Sequence, residues 1–119
     1  MDAMVPNKEN ATVAESKMID YLLNERHPQG RAKARFFRRL GYDDTNLQRF
    51  ASDLRSLLDE NAVKTMRHTP FGVHYVVEGA IRTPSQRSVQ VVTVWLVEHG
   101  MTSPRLITAY PGAGDEVEA

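Results

Sequence analysis

The chain contains no cysteine. This absence excludes disulfide bonds, thiolate metal ligands and cysteine nucleophiles. The chain also lacks an excess of either charge, because 15 lysines and arginines balance 15 aspartates and glutamates. A neutral protein is a poor candidate for broad, sequence-independent binding of nucleic acid. No apolar run approaches the ~20 residues that cross a bilayer, and the first residues do not form a signal peptide. We therefore expect a cytoplasmic protein that does not associate with membranes.

Sequence motifs of several enzyme classes are also missing. The chain has no G-x-G-x-x-G, no phosphate-binding P-loop, no G-x-S-x-G and no H-E-x-x-H. Its histidines do not follow the spacing of a metal site, and its acidic residues are not paired at strand ends as in two-metal nucleases. We therefore predict no metal and no cofactor.

The chain has 119 residues, which is the typical length of one domain. Residues 1–15 are largely polar with a proline, and residues 112–119 combine glycine with acidic residues. We predict a flexible N-terminal segment and a flexible acidic tail. Residues 16–111 then form a single α+β domain.

Helical periodicity runs through the first half of this domain. Residues 16–24 place apolar side chains on one face and end before a His-Pro pair, because proline restricts the residue before it. Residues 30–40 form a second helix, for which Gly41 is the expected stop. A third helix follows Asp44 or Thr45, either of which can cap it.

Strand-like patterns fill the second half of the domain. β-Branched and aromatic residues concentrate in residues 63–68, 73–82, 89–98 and 105–110, and turn-forming clusters separate these segments. Short connections favour antiparallel pairing, because parallel crossovers need a dozen or more residues. The predicted architecture is an α+β fold with N-terminal helices packed on one face of a four-stranded antiparallel sheet.

A local block of positive charge stands out on this neutral chain, with no acidic residue between Glu25 and Asp43. Its members are Arg26, Arg31, Lys33, Arg35, Arg38 and Arg39. The block predicts a local surface for anions such as phosphates. For the arginines of the second helix, a solvated face is the competing interpretation.

Lys33 differs from these arginines because it begins the apolar stripe of its helix. Phe36, Phe37 and Leu40 follow at i+3, i+4 and i+7. An ammonium group in that position extends to water, pairs with an acid or reaches a site between helix and sheet. The solvent-directed and the functional interpretations both stay open.

Two further residues are candidates for phosphate chemistry. His27 precedes the second helix, whose free N–H groups favour a bound phosphate, and a neutral imidazole there can take a proton from a ribose 2′-hydroxyl. The alternative is a histidine that caps the helix or packs beside Pro28. Arg105 opens the last strand and either binds a phosphate bidentately or lies exposed.

The last two strands can be aligned through the turn that joins them. With Val97 opposite Leu106, one mixed face holds Trp95, Thr93, Thr108 and Tyr110, where a ligand can stack and form hydrogen bonds. The other face is purely apolar and is predicted to meet the helices. The alternative is that Trp95 packs in a second small core under a loop.

Three segments resemble a bacterial domain family of unknown function: YLLNERHPQGRAKARFFRRLGY, VVTVWLVEHG and PRLITAYP. Members of that family pair an H-P-x-G-x-x-K-A-x-F-F segment with a T-x-W strand and a closing L-x-T-A-Y-P, and the match spans residues 16–111. The family is similar to the barnase–EndoU–colicin–RelE (BECR) superfamily of metal-independent ribonucleases, which includes many toxins of bacterial conflict systems. The resemblance implies helices followed by a four-stranded antiparallel sheet.

For this chain the resemblance implies an endoribonuclease, a bacterial toxin or toxin domain that works without metal by 2′-hydroxyl attack on the adjacent phosphate. It points to His27, Lys33, Trp95, Thr108 and Tyr110. In this hypothesis His27 is acid or base, Lys33 stabilises the phosphorane, and Thr108 and Tyr110 orient the phosphate. The predicted substrate-binding residues are Arg31, Arg38, Trp95 and Arg105. Of these, Trp95 stacks on a base and Arg105 also stabilises the charge of the phosphorane.

The expected partners are RNA and a cognate immunity or antitoxin protein. Nuclease toxins are usually strongly basic, so the neutral charge supports an alternative. That alternative is a non-catalytic nucleotide- or protein-binding module on the same scaffold, such as an immunity protein, an antitoxin or a phage inhibitor. A third hypothesis is a structural adaptor that dimerises through an open sheet edge or the Trp95 face.

Overall fold

A short 3-10 helix (Lys8–Asn10) and three longer helical segments precede a four-stranded antiparallel sheet in a computed structural model that describes residues 3–112. The helices are α1 (Glu15–Lys17), which continues as a wide π-helical turn (Met18–Leu22), α2 (Arg31–Arg39) and α3 (Leu47–Glu60). The strands are β1 (Thr65–Thr69), β2 (Gly72–Arg82), β3 (Ser88–Glu98) and β4 (Arg105–Pro111). The predicted α+β fold with helices before an antiparallel sheet is confirmed.

The helices bury the apolar residues that their sequence periodicity predicts. In α2, Phe36 and Phe37 are buried while the arginines stay at or near the surface. Helix α2 ends where predicted because Gly41 adopts a φ of +100°, a left-handed conformation that glycine adopts without strain. Helix α3 begins at Leu47, later than predicted, because Asp43 instead caps a preceding turn through the Thr45 N–H at 2.8 Å.

The four strands form a meander in the order β1-β2-β3-β4, with every neighbouring pair antiparallel. Predicted and observed strand bounds differ by two residues or fewer. The core between helices and sheet includes Val77, Val91, Trp95, Leu106 and Ala109, each at most 2% exposed.

The predicted register between the last two strands is wrong. Trp95 pairs with Leu106 and Val94 with Thr108, so β4 carries one extra residue, Ile107, at an irregularity between the two pairs. Such a bulge moves the following side chains to the opposite face. Trp95 packs with Leu106 in the core against the helices. The bulge places Thr108 and Tyr110 opposite Val94 and Val92, on the other face of the sheet.

The N-terminal residues differ from the predicted flexible segment. Val5 and Ala11 are 2% and 7% exposed. The Ala3 carbonyl accepts the Val63 N–H at 2.8 Å, and the Thr12 carbonyl accepts the Leu106 N–H at 3.0 Å. Two small apolar anchors inside a polar stretch are enough to dock it on the domain.

The acidic tail is not open to the same comparison, because residues 113–119 lie outside the described residues. Within residues 3–112, no helix is long and apolar enough to cross a membrane.

Candidate functional site

The Lys33 side chain reaches from α2 to the β4 edge of the sheet, where three hydroxyl-bearing side chains surround it. Its Nζ donates to the Tyr21 Oη at 2.7 Å and to the Thr108 Oγ1 at 3.4 Å. It also lies 5.8 Å from the centroid of the Tyr110 ring. We refer to Tyr21, Lys33, Thr108 and Tyr110 as the Lys33 cluster.

The Lys33 cluster carries a positive charge that no carboxylate of the described residues pairs with. Among residues 3–112, no ion pair involves Lys33. The ammonium is instead stabilised by the two hydroxyl acceptors and by the Tyr21 ring, whose centroid is 5.1 Å away. Lys17 approaches the same ring at 5.3 Å. A half-buried cation without a carboxylate partner can accept an anion from solution.

The nearby lysine charges change the pKa of the Tyr21 phenol. Partial burial raises its pKa, but hydrogen bonds with Lys33 and Thr108 and the positive charges of Lys33 and Lys17 outweigh burial. The pKa of Tyr21 is therefore lowered from its ordinary value of 10.0.

Titration of the tyrosines tests this coupling. We expect one of the four tyrosines to ionise below the ordinary pKa of 10.0, measured by phenolate ultraviolet absorbance. Tyr21→Phe should remove that step, and Lys33→Met should move it to higher pH. Because the folded-state pKa is the lower one, the contribution of Tyr21 to stability is present above pH 10.0 and lost as pH falls through the lowered pKa. A wild-type protein in which no tyrosine ionises early would contradict the coupling.

His27 contacts the Lys33 cluster through the Tyr21 ring. The two ring centroids are 5.1 Å apart at an interplanar angle of 83°. The His27 Nδ1 accepts the Gln29 N–H at 3.2 Å, so the neutral ring carries its proton on Nε2, where it can be donated. Gly30 permits this arrangement because a Cβ there would lie 3.1 Å from the Tyr21 ring.

Arg105 lies on the other side of Tyr21. A groove of about 370 Å³ is lined by Lys17, Tyr21 and Arg105, together with Asp20 and neutral residues. The Arg105 Nε donates to Glu98 at 2.7 Å, and both side chains are roughly half exposed. Exposed pairs of this kind are weak, so a phosphate can compete for the guanidinium.

The two predicted arginines of α2 have different environments. Arg31 is exposed at the first turn of the helix. Arg38 instead donates from Nε to the Leu23 carbonyl at 2.7 Å and lies 3.8 Å from Glu25 and 3.7 Å from Asp44. Arg38 therefore joins the loops on either side of α2, and its role in substrate binding stays a prediction.

The position of Trp95 contradicts the predicted stacking on a base. Its side chain is 0% exposed, and its Nε1 donates to the Thr93 Oγ1 at 2.7 Å, which in turn donates to the Val77 carbonyl at 2.9 Å. A ring enclosed in the core cannot stack on a nucleobase without opening the domain. Trp95 is a core residue.

Tyr21 is the residue that the sequence analysis missed. The helical pattern of residues 16–24 indicated only that Tyr21 lies on the apolar face of the first helix. A signal existed, because a tyrosine on a buried stripe needs a polar partner for its hydroxyl, and Lys33 began the stripe of the next helix. Metal-binding side chains do not cluster here: no group of three or more His, Asp or Glu in the described part of the chain could hold an ion.

Comparisons with known proteins extend these observations. A family profile described as a domain of unknown function (DUF6883) matches residues 4–113. A solved structure titled "Contact-dependent growth inhibition toxin - immunity protein complex from Klebsiella pneumoniae 342" contains a similar chain, with a TM-score of 0.69 and 24% identity. The likeness covers 90% of this chain and 97% of that chain, and it establishes a shared fold. No curated protein matches the sequence.

Proposed function

The chain belongs to the family described as a domain of unknown function (DUF6883), and we propose that it is a metal-independent endoribonuclease of the BECR type. In this proposal it acts as a bacterial toxin or toxin domain on RNA. The observation that carries the proposal is the Lys33 ammonium, which lacks an ion pair among residues 3–112 and lies beside Thr108 and Tyr110 at the sheet edge. Cations and hydroxyls arranged in this way suit the charge that develops on a phosphate.

The proposed reaction begins with attack of a ribose 2′-hydroxyl on the adjacent phosphorus. The bond from phosphorus to the 5′-oxygen breaks, which leaves a 2′,3′-cyclic phosphate and a 5′-hydroxyl. His27 carries the proton of its neutral ring on Nε2, because Nδ1 accepts the Gln29 N–H. In this proposal Nε2 donates that proton to the leaving 5′-oxygen, and solvent water takes the proton of the 2′-hydroxyl. Lys33 stabilises the phosphorane, and Thr108 and Tyr110 orient its oxygens.

Tyr21 and Arg105 complete this proposed site. Tyr21 is a positioning residue, because its hydroxyl holds the Lys33 Nζ at 2.7 Å and its ring contacts His27. Arg105 lines the groove beside Tyr21 and would bind the scissile or a neighbouring phosphate. Arg31, which is exposed at the start of α2, and Arg38 stay the other predicted substrate contacts.

RNA cleavage by purified protein tests the proposal. We expect tRNA, mRNA or rRNA incubated with stoichiometric protein in a chelator to yield fragments with 2′,3′-cyclic phosphate ends, identified by gel electrophoresis and mass spectrometry. A His27→Ala sample prepared in parallel controls for contaminating ribonuclease. Intact RNA in all three classes would count against the activity.

The neutral net charge favours a second candidate, a non-catalytic immunity-type module that binds a protein or nucleotide. Growth distinguishes the two. Expression that arrests cells and is relieved by His27→Ala supports the ribonuclease. Harmless expression of the wild-type chain supports the binding module.

A further inference from the structure

Strand β1 is an uncovered edge of the sheet. The opposite edge, β4, is partly covered by a parallel bridge between Thr12 and Arg105. Four of the five residues in β1 are exposed, and within residues 3–112 its backbone bonds only to β2. An edge with free N–H and C=O groups is a template for strand addition.

Exposed apolar side chains concentrate around this edge. Among the described residues, the large hydrophobics that are exposed are Met66 (56%), Phe71 (71%), Met101 (60%) and Met4 (37%). Met66 lies on β1, and Phe71 lies in the turn that leads to β2. Met101 donates its N–H to Glu98, which pairs with Gly72 beside that turn. Met4 follows Ala3, which bonds to Val63 just before β1. Apolar residues grouped in this way mark a protein contact surface.

The positive charge of the β1 region indicates the charge that a partner strand would carry. Residues 61–77 contain no aspartate or glutamate. Lys64 is paired with Glu78 at 2.7 Å, while Arg67 is exposed and forms no ion pair within the described part of the chain. Arg67 and Met66 are consecutive strand residues, so their side chains lie on opposite faces.

We propose that β1 is a strand-addition site for a partner protein whose edge strand alternates acidic and apolar side chains. The acidic side chains would pair with Arg67 on one face, and the apolar ones would cover Met66 on the other. A second copy of this chain fits poorly, because pairing two β1 strands brings the cations of residues 64–68 together. Thr65, the first residue of β1, lines a groove together with Tyr110, but Met66 and Arg67 do not line it. The proposal therefore does not depend on RNA cleavage.

A designed probe tests this surface. The probe is a disulfide-closed hairpin peptide with a Glu-Val-Glu-Val-Glu edge strand, and its counterpart carries Lys in place of Glu. We expect the acidic hairpin to bind the full chain and to protect the amides of residues 65–69 from hydrogen exchange. Arg67→Glu should weaken that binding roughly tenfold and favour the basic hairpin, because a cross-strand attraction becomes a repulsion.

Arg55→Glu is the matched control, since Arg55 is exposed on α3 away from β1, and it should leave hairpin binding unchanged. RNA cleavage, assayed on the same samples, should not respond to Arg67→Glu. Equal binding of both hairpins, no binding, or protection outside β1 overturns the proposal. Self-association that protects β1 also overturns it and identifies a second copy as the occupant.

Discussion

Replacement of Lys33 with methionine should lower RNA cleavage by about 10²–10³-fold in kcat, the loss typical when one group that stabilises transition-state charge is removed. Methionine keeps most of the aliphatic volume but removes the ammonium, which donates to Tyr21 and Thr108. The charge of the phosphorane would then develop beside the hydroxyls without the Lys33 ammonium. Single-turnover cleavage of a defined RNA under chelation measures the change.

The control for this variant is Arg35→Met on the same helix. Arg35 is exposed and, within residues 3–112, its ion pair is with the exposed Glu25 at 3.6 Å, so cleavage should stay near the wild-type rate. Circular dichroism and thermal unfolding show whether both variants keep the fold. A folded Lys33→Met protein with wild-type activity would remove Lys33 from the mechanism and leave the binding module as the better hypothesis.

Trp95→Ala should destabilise the domain by about 3–5 kcal/mol, the usual range for truncating a large buried aromatic residue. The indole is 0% exposed and its Nε1 donates to Thr93, which bonds to the backbone of β2. Truncation leaves a cavity at the centre of the core and removes this link. The free energy of unfolding, measured by urea denaturation and followed by circular dichroism, gives the loss.

The matched variant for this measurement is Met66→Ala. Met66 is 56% exposed, so its truncation should change the free energy of unfolding by less than about 0.5 kcal/mol. If Trp95→Ala proves too unstable to purify, Trp95→Leu gives a smaller loss in the same direction. A Trp95→Ala protein of wild-type stability would mean that the ring does not lie in the core.

The sequence predicted most of the secondary structure because periodicity is a local property. The stripe of Phe36 and Phe37 indicated α2, and Gly41 indicated its end. The same stripe placed Lys33 on the sheet-facing side of its helix. That prediction agrees with the 3.4 Å contact to Thr108, although the catalytic role remains a proposal.

The register of β4 could not be predicted from its pattern. The sequence pattern of residues 105–110 is compatible with both the predicted and the observed register. The extra residue, Ile107, is evident only from the pairing with β3. Because of that bulge, Leu106 shares the core face with Trp95 while Thr108 and Tyr110 lie on the other face. The partners of Arg38 could not be predicted for a related reason, since Leu23 and Asp44 belong to loops whose paths the sequence does not specify.

The amino-acid sequence alone determined the order of helices and strands, the exclusion of cysteine chemistry, and the presence of a lysine at the margin of an apolar helix. These features depend on composition and on neighbours within a few residues. Tertiary structure decided which groups meet that lysine: Tyr21, 12 residues before it, and Thr108, 75 residues after it. It also enclosed the indole and left β1 uncovered. Contacts between distant segments depend on strand pairing and helix docking, and a single bulged residue is enough to change which side chains share a face.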